Sequence, residues 1–275
     1  MEQENFEKLK KELFYRGFGE GLNNELGEKM SRSGPEFAIE HQVGIEGDQM
    51  AYRLNFRKDD NADKYYFNTI DTSLLKNGDQ PGQELTHSFP ANSLVTATEM
   101  HHMLKHGLLV AVNKTLFNKE GEAYNTWASI DINGPKDDFG NYPRKTYHQN
   151  YFAKQPFDVQ QALQDLAVPV KELEQKFKLG DYEKALKKAN LPEVTIMVNG
   201  VESKGYLSVN PGERRIDVYD ANMKIVQRQE QAQGLSAAEN KKDTSVQQSG
   251  DVKKKPWEQQ QRVNWNRNKG RGMGA

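Results

Sequence analysis

The chain has 275 residues, a formal net charge of −1, 35% apolar and 28% charged residues, and no cysteine. That composition excludes a disulfide framework, thiolate metal ligands and a cysteine nucleophile. A mean hydropathy of −0.91 predicts that part of the chain enters no core.

The charge is unevenly spread. Residues 252–275 hold seven Lys and Arg against Glu258 alone, a net +6, which leaves −7 on the other 251 residues. An acidic body with a basic tail is expected. The first residues, MEQENFEKLKKE, place acids ahead of any apolar run, so no signal peptide is expected. No window approaches the roughly 20 apolar residues of a membrane helix. A cytoplasmic location without membrane contact follows as an expectation.

In chain order, Phe6, Leu9 and Leu13 share a helical face, with Glu2, Glu4 and Glu7 ahead of Lys8, Lys10 and Lys11, which suits the helix dipole. Leu22, Leu26 and Met30 predict a second short helix. From Pro35 the apolar period becomes two. Phe37, Ile39, Val43 and Ile45, then Met50, Tyr52, Leu54 and Phe56, predict a hairpin around Glu46-Gly47-Asp48, with Lys64–Phe67 as a third strand. Residues 77–83 read as a loop. Thr96 and Glu99 form a capping box that opens a helix, and Gly107 closes it.

A second hairpin turns at Asn118–Gly121, a loop spans NGPKDDFGNYPR, and Lys145–Phe152 reads as a strand. Helices are predicted from Asp158 to Leu166, around Pro169, and from Tyr182 to Ala189. A meander then turns at Asn199-Gly200 and Asn210-Pro211-Gly212. The predicted class is α+β: antiparallel hairpins and meanders packed with short helices, followed by a disordered C-terminal tail. The expected organisation is a helix pair plus hairpin over 1–92, an α+β domain over 93–228, and the tail over 229–275.

The stretch RGFGEG (Arg16–Gly21) invites three readings. A dinucleotide loop needs G-x-G-x-x-G between a strand and a helix, whereas these glycines run G-x-G-x-G after a helix. An RNA-recognition strand needs stacking aromatics where Glu20 and Gly21 stand. A joint between two helices needs only a glycine at positive φ, and it fits both flanks.

For metal chemistry, Glu99, His102 and His106 fall on one helical face opposite Ala97, Met100 and Leu104. The capping box already accounts for Glu99, His106 suits a helix C-terminus, and the face is expected to be solvated. No metal site is therefore expected, and no cofactor. His41 lies between Ile39 and Val43 and reads as a core or edge histidine, while His148 lies among aromatics with no nameable catalytic partner. Asp59-Asp60-Asn61 and Asp63 lack the glycine and terminal Glu of a calcium loop. No nucleophile elbow is present, and no catalytic residue is assigned.

Three stretches, LFYRGFGEGLNNELGEKM, NKEGEAYNTWASIDI and GYLSVNPGERRIDVYDANMKIVQRQ, together resemble uncharacterised domain-of-unknown-function proteins carried on conjugative and other mobile elements of gut Bacteroidota. The resemblance implies a bacterial cytoplasmic setting near DNA-transfer or DNA-maintenance genes, and brings no activity, cofactor or catalytic residue. In that setting the chain reads as a non-enzymatic accessory factor whose tail binds DNA or RNA through Lys253, Lys254, Lys255, Arg262, Arg267, Lys269 and Arg271, with Trp257 and Trp265 as stacking faces. The alternative is a protein–protein interaction module, a partner-binding or inhibitory factor, with a solubilising tail.

Seven tail cations can engage at most seven phosphates, so binding to single-stranded DNA should show a log–log salt slope no steeper than about −5. Deleting residues 252–275 should abolish that binding and leave the melting temperature unchanged. Equal DNA binding with and without the tail would move the activity into the acidic body.

Overall fold

The computed structural model describes residues 3–32, 34–75, 84–198 and 200–226; the expectations for the tail, Lys253 to Arg271 included, lie outside them. The described residues form an α+β fold with three antiparallel sheets. None of their helices is long and apolar enough to cross a membrane.

Helices α1 (Gln3–Leu13) and α2 (Asn23–Ser31) bury Leu9, Leu13, Leu26 and Met30. Between them, Phe14–Phe18 forms one wide turn that breaks at Gly17, φ 86°, and Gly19 follows at φ 67°. A Cβ at Gly17 would sit an ordinary 3.8 Å from the Ala97 Cβ, so glycine is required there for its backbone freedom and not for space. The helix-joint reading of RGFGEG is the correct one. Phe18 folds back from the joint and meets Tyr52 edge-on, ring centroids 5.2 Å apart.

The first sheet is a meander of β1 (Glu36–Ile45), β2 (Asp48–Lys58), β3 (Tyr65–Leu75) and β4 (Glu84–Pro90). Strand β3 runs well past the predicted Lys64–Phe67, because alternation continues through Ile70, Thr72 and Leu74, all buried. Strand β4 has no counterpart among the sequence expectations. Its inward positions include His87, and an imidazole in an apolar slot hides the alternation.

One sheet face buries Ile39, Met50, Tyr52, Leu54, Phe56, Ile70, Leu74 and Phe89 against α1, α2 and α3 (Ala97–His106). The capping box of α3 is present, with the Thr96 N–H donating to Glu99 Oε2 at 2.8 Å. The helix also holds the sheet through the Tyr52 hydroxyl, which donates to the Ala97 carbonyl at 2.8 Å.

The second sheet, β5 (Val112–Phe117), β6 (Ala123–Ile130) and β7 (Arg144–His148), has two apolar sides. Val112, Ala128 and Ile130 join the core of the first sheet, whereas Ala111 and Trp127 join a second core. That second core is completed by α4 (Val159–Gln164), α5 (Leu179–Lys187) and the sheet of β8 (Glu193–Val198), β9 (Val201–Asn210) and β10 (Arg215–Asp220).

Two local expectations change. Strand β7 ends at His148, and Gln149–Phe152 form a single 3₁₀ turn. The segment after Pro169 is not an α-helix. The Pro169 carbonyl accepts from the Met197 N–H at 3.0 Å and Val170 bridges to Ile196, so the chain is held against β8 and leaves only a 3₁₀ turn at Lys171–Glu174.

His87 connects this packing to pH. The Tyr142 backbone N–H donates to its Nδ1 at 3.2 Å, which requires a bare ring nitrogen. Burial, with the nearby Arg144 charge second, pushes the ring down to about 4 from its ordinary value near 6.5. Below the unfolded value the unfolded chain takes up a proton that the folded chain refuses. The stability is therefore present above about pH 6.5 and is lost as pH falls towards about 4. In urea denaturation, His87→Asn, which keeps an acceptor near the Nδ1 position, should remove about 2 kcal/mol of the drop between about pH 7 and pH 5. An unchanged drop would show that His87 is protonated in the folded state.

Candidate functional site

A groove of about 770 Å³ lies between the end of α1, the start of β3, the turn after β4 and the end of β5. That volume lies in the range of ligand sites. Its scaffold is held by Asn5 on α1. The Asn5 amide donates to the Tyr65 carbonyl at 2.9 Å and accepts the Tyr65 N–H at 2.8 Å, a side chain standing in for a neighbouring strand. The Tyr65 hydroxyl donates to the Gly34 carbonyl. The helix, the strand and the chain leading into β1 are thereby fixed to each other.

The walls are apolar and accessible. Tyr15 is 77% exposed, Phe117 67%, Tyr66 50% and Leu94 41%. Single exposed apolar residues need no explanation, but four from four elements lining one concavity form a patch of the kind that marks a binding surface. Leu94 also holds φ 57°, ψ 20°, a left-handed conformation that costs a leucine about 1 kcal/mol.

At the base lies Arg16, only 3% exposed. Its Nη2 donates to Glu12 Oε1 at 3.0 Å, and its guanidinium carbon stands 5.6 Å from the centre of the Phe67 ring. Burial lowers its pKa, against the opposing pull of Glu12 and, further off, Glu99; a guanidinium remains charged through such a shift. Its Nη1 has no hydrogen-bond partner among the described residues. Lys8 lines the same groove, so Lys8 and Arg16 against Glu12 give a local excess of positive charge on an acidic body. Aromatic faces, amides and a guanidinium are groups suited to binding.

The nucleic-acid residues expected in the tail, Lys253, Lys254, Lys255, Trp257, Arg262, Trp265, Arg267, Lys269 and Arg271, lie outside the described residues. The helical face of Glu99, His102 and His106 is not solvated, contrary to expectation: Glu99 and His102 are buried. The triad is not gathered into one set either. Glu99 is taken by the Thr96 N–H and by Lys114 at 2.6 Å, while His102 Nε2 lies 3.0 Å from Glu46 Oε1. The β1–β2 turn folds over this face, and a helical projection carries no information about what covers it.

His106 is pushed down to about 4 by burial, then by the neighbouring His102 and Lys105. Burial also lowers His101, against the pull of Asp48. His41 is half-buried, packed edge-on to Phe18 and alongside Tyr52, and burial lowers its pKa. His148 is exposed beside Tyr124.

None of the groove residues was singled out by sequence as a site. A tyrosine or phenylalanine carries no sign of exposure, and Arg16 stood out only as the flank of a glycine joint. Comparison with protein-family models, with curated proteins and with solved structures finds no match to this chain.

A buried ion pair replaced by an apolar side chain of similar length is often neutral or stabilising. Replacing both partners, Arg16→Met with Glu12→Leu, should accordingly leave the unfolding free energy within about 1 kcal/mol of the parent, or raise it. A loss of more than about 3 kcal/mol in urea denaturation would make Arg16 a folding residue and remove it from the site.

Proposed function

We propose that the chain is a non-enzymatic binding module, of the kind carried on mobile genetic elements, whose folded part docks a partner polypeptide in the Arg16 groove. The partner segment presents a large apolar or aromatic side chain next to a carboxylate. The observation that carries this reading is four exposed apolar side chains from four elements lining one concavity, with Lys8 and Arg16 beside them. The aromatic walls supply contact area at little conformational cost, and the carboxylate's charge complements the local positive excess of Lys8 and Arg16 over Glu12.

The interaction-module reading is favoured over a purely nucleic-acid role because the groove is a built feature of the folded part. The tail's cations and tryptophans support nucleic-acid contact as a second, separable activity, and the two can coexist in one accessory factor.

Selection of a displayed random-peptide library on the full-length chain tests the groove. Enriched peptides should pair Phe, Tyr, Trp or Leu with Asp, Glu or a free C-terminus. Enrichment should be lost in a Tyr66→Ser/Phe117→Ser variant, whose exposed substitutions leave the fold intact by circular dichroism. Peptides that ignore the double substitution, or a basic consensus, would overturn the proposal. So would a self-association that the double substitution abolishes in analytical ultracentrifugation, since that would give the groove to a second copy of the chain.

A further inference from the structure

A second cluster gathers chemistry from distant parts of the chain. The turn between β1 and β2 lies over the second half of α3. There His101 Nε2 stands 2.8 Å from Asp48 Oδ2, and His102 Nε2 stands 3.0 Å from Glu46 Oε1. Glu46, His101 and His102 each bring one donor atom within 4.8 Å of the others. Both rings are buried, His101 completely, and the Nδ1 atom of each has no hydrogen-bond partner among the described residues.

Two separate imidazole–carboxylate pairs would be enough to hold a turn on a helix. Nothing in that account requires the Glu46 carboxylate to approach both imidazoles, yet one donor atom of each of the three residues lies within 4.8 Å of the others. Asp48, by contrast, is shared between His101 and Lys105, whose Nζ lies 2.9 Å from its Oδ2. Ligand atoms about 2.0–2.1 Å from a tetrahedral ion lie about 3.3–3.4 Å from one another; His102 and Glu46 stand 3.0 Å apart, and the three donor atoms lie within 4.8 Å.

The backbone of the turn gives an independent indication. Ile45 pairs with Asp48, so the loop is the two residues Glu46 and Gly47, with φ 51° and 86°. Such a turn favours Asn, Asp or Gly at both positions. Glu46 holds the left-handed conformation at a cost of about 1 kcal/mol, and its carboxylate is the group that reaches His102. A strained backbone that aims a ligand-type side chain into a cluster is an observation from which a site can be inferred.

We propose that Glu46, His101 and His102 bind one divalent transition-metal ion of the zinc class and thereby pin the β1–β2 turn to α3. Two imidazoles with a carboxylate suit zinc and its neighbours, and disfavour magnesium and calcium, which take all-oxygen shells. The half-exposed Glu46 carboxylate leaves an entry path from solvent. No ring acceptor supports Nδ1 on either histidine, so the site lacks the outer hydrogen bonds that give the tightest zinc centres their affinity.

The experiment uses the full-length chain, stripped with a chelator and freed of it by dialysis. Zinc chloride is titrated in by calorimetry, with bound metal quantified after equilibrium dialysis. The expected result is one zinc per chain, a raised melting temperature, and an affinity weakened at least about tenfold by Glu46→Gln and by His102→Gln. Glu46→Gln changes an exposed turn residue, so it keeps the test valid if His102→Gln fails to fold. Three results would each overturn the proposal: no stoichiometric zinc, zinc affinity unchanged in Glu46→Gln, or calcium binding the parent as tightly as zinc.

Discussion

The positive φ of Gly17 is the constraint on which the outer side of the first sheet depends. It lets the chain reverse within a few residues, so that Leu13 before the joint and Leu26 after it both become completely buried in one core. The same reversal sorts the joint's own side chains. Phe18 enters the core against Tyr52, while Arg16 is turned onto Phe67 beneath the groove, and Tyr15 is left in solvent beside it. A residue with a Cβ at position 17 would fit sterically but would resist the conformation. The groove is thus a by-product of the geometry that closes the core, which makes its position as rigid as the core itself.

The rest of the scaffold is unified by β6, which is buried on both sides. Trp127 faces the core of the third sheet, while Ala128 and Ile130 face the core of the first. A strand used this way cannot shift register without disturbing both cores. The Ser208 hydroxyl reinforces the arrangement by donating to the Leu109 carbonyl across the join. On β9, Gly205 allows close packing: a Cβ there would come within 2.8 Å of the Tyr219 carbonyl oxygen and of Ile196. The turns at the rim, including Leu94 and the β1–β2 loop, are carried by elements with little freedom to move.

Local signals in the sequence carried the fold well. Helix periodicity located α1, α2 and α3, the Thr96–Glu99 box survived to the side-chain level, and alternation gave the first hairpin and the last meander. What was lost was lost for physical reasons. Strand β4 was hidden because His87 occupies an apolar position, stabilised by the Tyr142 N–H and by packing on Phe89. The Pro169 segment has a helix-like beginning but finds its hydrogen bonds on β8. The candidate sites were much less legible. Periodicity put Glu99, His102 and His106 on one face of α3, yet only tertiary folding shows that a turn more than fifty residues earlier in the sequence supplies Glu46 and Asp48 to that helix. The groove is assembled from four elements, each of which reads locally as ordinary surface.

Residue choice, and not backbone strain alone, separates these sites from the structural turns. Ala189 also holds φ 58°, but it is completely buried just past the end of α5, where a left-handed residue closes a helix and packing repays the strain. Leu94 and Glu46 adopt the same region on exposed or half-exposed turns, where Gly or Asn would do so at almost no cost. Burial of Arg16 follows the same logic. Removing a guanidinium from water costs several kcal/mol, one carboxylate and one aromatic face offset part of that, and an apolar residue would fill the space at least as well. At Leu94 and Glu46 folding alone favours a different residue, and at each the residue present offers a group to something outside the core: an apolar wall, or a carboxylate beside two imidazoles.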